Sequence, residues 1–516
     1  MGPIQKLGDF MIFGTDGIRG EICKSPNSNE KALNLLTQER KLCSRFMKLI
    51  GLALGRVSGG GSKVIVGWDD RPSNAELVDA LTNGLQERGC DIIHAGLCAT
   101  PALQNALLET DSDFGCMITA SHNPVSDSGI KVFDSNGYKT YPDFENEICD
   151  IILEMINQNE NNHNPKSDQR PSPVKFFDAN SAHQTLLDKR FQEFVKLFAY
   201  PKPTDILIDC SKGAAYQWLS TFLGKIGIRA KEVSKNAKAL NHNCGAGELK
   251  PTDRWTWKEA EEDSHILINS LKRTAPGIII AAALDGDGDR CLLIESTSDG
   301  CRVVDGDEMA SHILRSASGE WHLAASIESD LSLKSSLDKL SCNVSFTETA
   351  VGDRWLAYAL KDKTAQVIGV EDSGHLVLSA PTANGARTLV GDGVASLLAV
   401  LCAISCEERS AALPKGFKKR ITIAPSIRSR WTGKNDLADK VEEIANYGIS
   451  GIHRSSIEGE PNLMLLESPG ISIGVRNSGT QAKTNISLRV APGKNKSIAE
   501  RVVDKISVLL KGELLD

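Results

Sequence analysis

Short β-branched runs alternate with longer stretches of helical period along most of this chain, and few folds accommodate that alternation. Residues 63–67, 205–209 and 277–284 have continuous apolar centres, the pattern of strands covered on both faces. Residues 74–88 and 216–226 repeat apolar side chains at helical spacing. Strands alternating with helices predict α/β layers with largely parallel sheets. The last part of the chain differs, with alternating strands at 470–475 and 485–490 around a polar loop.

At 516 residues and about 150 residues per domain, three to four domains are expected. Breaks are predicted near 182, near 299 and at 407–416, where Pro414-Lys415-Gly416 follows a helix-like run. The expected domains are therefore 1–182, 183–299, 300–412 and 413–516. Residues 157–173, rich in Asn, Pro, Ser and charge, read as a solvated loop. The first three units are of comparable size, which is compatible with distant duplication.

Composition narrows the class. Asp plus Glu number 66 against 59 Lys plus Arg, a net charge of −7, so the surface as a whole repels nucleic acid and anionic lipid. The most apolar stretches, 277–284 and 394–404, fall far short of the roughly 20 residues that cross a bilayer. Met1-Gly2-Pro3-Ile4-Gln5-Lys6 has no apolar signal core, which makes the cytoplasm the expected location. The 13 cysteines are odd in number and include no Cys-x-x-Cys pair. Reduced, buried thiols are expected in place of a disulfide frame or a zinc site.

Five loops carry chemistry. Asp285-Gly286-Asp287-Gly288-Asp289-Arg290 lies between two apolar strands, and three carboxylates at alternate positions of a glycine-relaxed turn converge on one hard cation. A calcium EF-hand fails, because Arg290 stands at the sixth position and Ser296 at the twelfth. Three carboxylates leave coordination places for water or a phosphate oxygen, which suits magnesium. Thr119-Ala120-Ser121-His122-Asn123-Pro124 follows another apolar run; its serine fits a nucleophile or phosphate carrier, and equally a helix cap or Asx-turn. Arg476-Asn477-Ser478-Gly479-Thr480 offers a guanidinium, two hydroxyls and free amides to a dianion. Glu371-Asp372-Ser373-Gly374-His375 suits sugar hydroxyls, and Gly14-Thr15-Asp16-Gly17-Ile18-Arg19-Gly20 presents Arg19 on a turn.

In this order, the five loops resemble those of the α-D-phosphohexomutase superfamily over nearly the whole chain, from Phe13 to Arg489. Within it they are most similar to the phosphoglucosamine mutases, through Phe13 to Gly20, the stretch Asp285 to Asp307, and Val351-Gly352-Asp353-Arg354. The resemblance implies an α/β fold of four domains around a central cleft: three with related mixed sheets flanked by helices, and a smaller C-terminal α+β domain. It implies interconversion of glucosamine 6-phosphate and glucosamine 1-phosphate through a phosphoserine and a hexose 1,6-bisphosphate that serves as intermediate and activator. Ser121 becomes the phosphoserine, and Asp285, Asp287, Asp289 and the Ser121 phosphate hold Mg²⁺. Arg19, His122, Lys131, Arg290 and His375 would serve catalysis, Lys131 as a base for the sugar hydroxyl. Glu371 and Ser373 would contact the sugar, and Arg476, Ser478, Gly479 and Thr480 would grip the phosphate that is not reacting. The expected partner is an amino-sugar phosphate, on a monomer or homodimer.

Departures from the family pattern are Gln481 and Asn485, where Glu and Arg are usual, with Lys483 or Arg489 as candidates to compensate, and Val370 in place of Gly. Extra length falls around 21–45 and 157–175. A phosphomannomutase or phosphoglucomutase, a phosphoserine hydrolase and a non-catalytic sugar-phosphate-binding paralogue remain open as alternatives.

Overall fold

The computed structural model describes residues 12–158, 172–478 and 482–515. Most of the 157–173 segment, together with Gly479, Thr480 and Gln481, lies outside the described residues. The chain gathers into two compact units. One holds the described residues up to Asp305 together with Ser373–Ser405; the other holds Gly306–Asp372 and the residues from Cys406 onward.

The first unit contains two mixed sheets flanked by helices. In the seven-stranded sheet the order is Lys41–Leu42, Ile18–Ile22, Asp127–Asp134, Phe114–Ile118, Lys63–Trp68, Asp91–Leu97 and Lys175–Phe176. Lys63–Trp68 runs parallel to both its neighbours, whereas Asp127–Asp134 is antiparallel to both of its own. The central strands are buried along almost their whole length, as expected where helices cover both faces.

The six-stranded sheet has the order Arg254–Thr256, Gly300–Val304, Cys291–Ser296, Ile279–Leu284, Asp205–Asp209, Arg229–Glu232. Gly300–Val304 pairs with Cys291–Ser296 and with Arg254–Thr256, so this sheet carries on past the break drawn at 299. The turn at Thr297–Gly300 joins a hairpin; its polar residues look the same in sequence whether the chain turns back or leaves the domain.

Both sheets repeat one local plan. Phe114–Ile118 ends in the Ser121 loop and returns antiparallel as Asp127–Asp134. Ile279–Leu284 ends in the aspartate loop and returns antiparallel as Cys291–Ser296. Each chemical loop thus leaves the carboxyl end of a buried strand, where α/β sheets carry their ligands.

The stretch Ser373–Ser405 forms the antiparallel pair Leu376–Pro381 and Arg387–Gly391 followed by the helix Gly393–Ser405. That helix is buried almost all round, which accounts for its uninterrupted apolar sequence. Asp392, at its start, is buried and accepts from His183 Nε2 at 2.9 Å and Arg190 Nη1 at 3.2 Å, both on the helix Ala179–Leu197.

In the second unit, Asn343–Thr349, Glu320–Ser326 and Gln366–Val370 run parallel. The antiparallel sheet formed by Phe417–Ile423, Thr484–Val490, Ile471–Asn477, Leu463–Ser468 and His453–Ser455 packs with the helices Asp436–Gly448 and Lys496–Leu514 on one core, the α+β plan expected for the C-terminal part. Among the described residues no helix is long and apolar enough to cross a membrane, and all 13 cysteines are free.

Burial alone would raise the Asp392 carboxyl, but His183 and Arg190 hold it below the usual range. A depressed folded pKa gives stability that is present at neutral pH and lost as pH falls through that pKa. Asp392→Ala should strand a buried guanidinium and cost about 3–5 kcal/mol, read by urea unfolding at neutral pH; the gap from the parent should narrow in acid.

Candidate active site

Ser121 sits with φ of +53°, a region that a non-glycine residue occupies only when its surroundings impose it. Those surroundings are explicit. Arg71 Nη2 donates to the carbonyls of Ser121 (2.8 Å) and Asn123 (3.0 Å), and Nη1 donates to those of Pro124 and Asp127. Its Nε reaches Asp69 at 3.0 Å, which also accepts from Thr119 Oγ1 at 2.7 Å, and Thr119 in turn accepts from the Ser121 amide. The result holds the serine hydroxyl against the second sheet's loop, with Oγ donating to Asp285 Oδ2 at 2.7 Å.

Asp285, Asp287 and Asp289 are buried, and one oxygen of each lies within 4.8 Å of the others. Burial first, then Asp289 and Asp287, push the Asp285 carboxyl up to about 7. Asp287 Oδ2 accepts from Lys131 Nζ at 2.7 Å and from Thr100 Oγ1 at 2.5 Å, while its Oδ1 is buried with no hydrogen-bond partner. A buried carboxylate oxygen left bare, beside two more carboxylates, is the donor set of a hard divalent cation. The three aspartates fit Mg²⁺.

Lysine, arginine and histidine side chains surround them. Lys131 Nζ lies 2.7 Å from Asp287 and Asp289 and 3.2 Å from Asp16. Lys139 Nζ lies 2.8 Å from Asp16 and 3.7 Å from Asp289, and Arg19 Nη2 lies 2.8 Å from Asp16. His375 Nε2 lies 2.9 Å from Asp289 Oδ1, carried there by the backbone bridge between Arg290 and His375. Arg290 approaches Asp285 through its amide at 3.2 Å and its Nε at 3.8 Å.

Two titratable groups beside the trio are shifted in opposite senses. Burial works against the charged amine of Lys131, but Asp16, Asp287 and Asp289 raise its pKa well above the ordinary lysine value. Three carboxylates thus surround the Lys131 ammonium and favour its charged form. His122 is the opposite case: Arg290, then burial, then Arg19 drive its pKa well below the ordinary range, and Nδ1 is buried without a hydrogen-bond partner. The neutral imidazole leaves a vacant nitrogen beside Ser121 that can take a proton in passing, while the cations that keep it neutral make it a weak base.

Arg19, Ser121, His122, Lys131, Asp285, Asp287, Asp289, Arg290 and His375 therefore gather in one place. Ser373 is a partly exposed residue of the turn just before His375. The remaining described candidates belong to the second unit. Glu371 accepts from the Gly352 amide at 2.7 Å. Arg476 lies 2.9 Å from Glu460 and 3.4 Å from Glu328, and Ser478 receives Arg428 Nη1 on its carbonyl at 2.8 Å. Gly479 and Thr480 fall outside the described residues. Arg489 does not compensate for Asn485, since it is buried against Glu348, Ser329 and Ser472; Arg428 is the guanidinium beside Ser478. Sequence reasoning missed Lys139, Thr100, Arg71 and Arg428, none of which stands in a pattern that announces a site; Asp16 stood inside the Arg19 turn but was given no role.

The phosphoglucomutase/phosphomannomutase α/β/α domain I family matches residues 11–159, and its domain III counterpart matches 305–415. A phosphoglucosamine mutase of Pseudoalteromonas atlantica is 31% identical over 474 residues, 90% of this chain and 92% of that protein. The chain belongs to the α-D-phosphohexomutase superfamily. A phosphoglucomutase/phosphomannomutase family protein from Burkholderia thailandensis shares the fold at 20% identity and a TM-score of 0.67, over 98% of this chain and 97% of that one. So does an N-acetylphosphoglucosamine mutase from Aspergillus fumigatus, solved with GlcNAc-6P and magnesium, at 14% identity and a TM-score of 0.58, over 99% and 97% of the two chains. This phosphohexomutase is an enzyme of the isomerase class, most like the phosphoglucosamine mutases.

Cation binding must displace the proton that Asp285 takes up near pH 7. Calorimetric titration with Mg²⁺ should therefore show affinity falling as pH drops below about 7, with proton release. Asp287→Asn should weaken binding and shrink the Mg²⁺-induced rise in Tm; an unchanged rise would contradict the cation site.

Proposed function

We propose that this phosphohexomutase interconverts glucosamine 6-phosphate and glucosamine 1-phosphate through a phosphoserine at Ser121 and a glucosamine bisphosphate. The observation that carries the reading is the 2.7 Å contact between Ser121 Oγ and Asp285 Oδ2, which sets a hydroxyl against a buried carboxylate trio. The choice of amino sugar follows the relatives named phosphoglucosamine mutase.

In the first half-reaction the bond between Ser121 Oγ and phosphorus breaks, and the phosphoryl group passes to the free hydroxyl oxygen of the sugar. His122 Nδ1 accepts the sugar hydroxyl proton, and the Ser121 oxygen, released from phosphorus as an alkoxide, takes that proton up to become the free hydroxyl. Lys131, Arg19 and Arg290 offset charge on the moving group, which suits a transfer that depends chiefly on positioning and charge. Mg²⁺, held by Asp285, Asp287 and Asp289, neutralises charge on the phosphoryl oxygens when bound. The bisphosphate then turns over; the Ser121 hydroxyl passes its proton to His122 as its oxygen attacks the other phosphate, the sugar oxygen released by that cleavage takes the proton, and the isomer leaves. Arg476 and Ser478 hold the phosphate that is not reacting, with Glu371 and Ser373 on the sugar. Arg476 is paired with Glu460 and Glu328, so a dianion must outcompete two carboxylates, which a bidentate phosphate contact can do.

The phosphorylated protein should turn over glucosamine 6-phosphate with a higher kcat/KM than glucose or mannose 6-phosphate; the reverse order would replace the substrate while leaving the mechanism. Ser121→Ala should lose turnover and stay folded. Arg476→Ala should raise KM about tenfold with a smaller change in kcat. The acid limb of the kcat/KM profile that belongs to His122 should lie well below pH 6.5 and vanish in His122→Gln.

A further inference from the structure

The nucleophile is held from two sides, and only one belongs to its own sheet. Opposite Arg71, the side chain of Asn241 enters from the second sheet's side. Its Nδ2 donates to the carbonyl of Ser121 at 2.7 Å and to that of Asn123 at 2.9 Å. These are the same two oxygens that Arg71 Nη2 takes, so each carbonyl has both acceptor positions filled. Asn241 is itself buried and fixed: its φ is +58° and its amide donates to the Ser211 carbonyl at 3.1 Å.

Two glycines press the same contact. A Cβ on Gly247 would stand 2.3 Å from the Cβ of His122, so the bare backbone of residue 247 lies against the imidazole-bearing residue. A Cβ on Gly286 would stand 2.9 Å from the Ser121 carbonyl and 3.0 Å from Asn241 Nδ2. The serine loop, the aspartate loop and the segment 241–247 therefore meet with no room for one added carbon.

We propose that Asn241 and Gly247 form a positioning device for phosphoryl transfer: the amide of Asn241 fixes the strained backbone at Ser121, and the bare face of Gly247 fixes His122 beside it. Neither touches the transferred group. Their part is to keep Ser121 Oγ and His122 in register with the carboxylates when the hydroxyl gains and loses its phosphate, since a strained loop released on one side relaxes toward ordinary φ. The inference rests on Ser121 as the phosphoryl carrier.

The test follows capture of a phosphoryl group on Ser121 from glucose 1,6-bisphosphate with Mg²⁺, by intact mass, beside steady-state kcat and KM. Asn241→Ala and Gly247→Ala should slow capture and kcat on the order of 100-fold, the scale of a small misplacement of reacting groups. KM and the Mg²⁺-induced rise in Tm should stay near the parent's. His242→Ala, an exposed neighbour on the same segment, should behave as the parent. Capture at the parental rate in folded Asn241→Ala or Gly247→Ala would overturn the proposal, as would a loss confined to KM or to Mg²⁺ binding. Should Asn241→Ala fail to fold, Gly247→Ala decides by the same readouts. Failure of the parent to capture phosphate would instead remove Ser121 as the carrier.

Discussion

Three buried carboxylates at one hairpin end set the terms for the first unit. Asp285, Asp287 and Asp289 repel one another in a site without solvent to screen them, and a buried charge persists only when paired. Lys131 spans two of them and Lys139 approaches one. Asp16 joins the two lysines to Arg19. Lys131, Lys139 and Arg19 come from the first sheet and its loops and the aspartate trio from the second, so electrostatic need draws the two sheets' loops together. Even so, Asp287 keeps a bare oxygen and the Asp285 carboxyl is pushed up to about 7 by burial and its fellow aspartates. Both point to a divalent charge that completes the balance.

The catalytic reading follows from that pairing. A serine hydroxyl is a poor phosphoryl acceptor and donor unless its geometry is fixed before reaction. Here the backbone is strained and clamped by Arg71 and Asn241, so little reorganisation remains. The recurring strand, loop and returning strand place the serine and aspartate loops at equivalent ends of two sheets. One duplicated plan would supply both halves of a reacting pair.

Much of this was legible in the chain. The spacing of Asp285, Asp287 and Asp289 announces a cation because three carboxylates bunched at a strand end repel one another without one. The buried strands were readable from continuous apolar runs, as at 205–209, which matches the observed Asp205–Asp209. What escaped was whatever depends on distant partners. The three carboxylates around Lys131 come from separate stretches of the chain and show only in the fold. Asn241 and Arg71 look like ordinary turn residues until their donors are traced to Ser121. The turn at 297–299 has the composition of a boundary, yet strand pairing across it makes it a hairpin. Arg489 and Arg428 could be told apart only by their partners.

The central claim is that the Ser121 phosphate and the aspartate trio share one divalent ion. Phosphorus NMR of the phosphorylated protein titrated with Mn²⁺ addresses it directly, because paramagnetic broadening falls with the inverse sixth power of the distance and is most severe for a phosphate that ligates the ion. The phosphoserine resonance should broaden beyond detection as Mn²⁺ fills the site, and recover when Mg²⁺ displaces it. A resonance that stays sharp while Mn²⁺ is bound would place the ion and the phosphate apart and contradict the account.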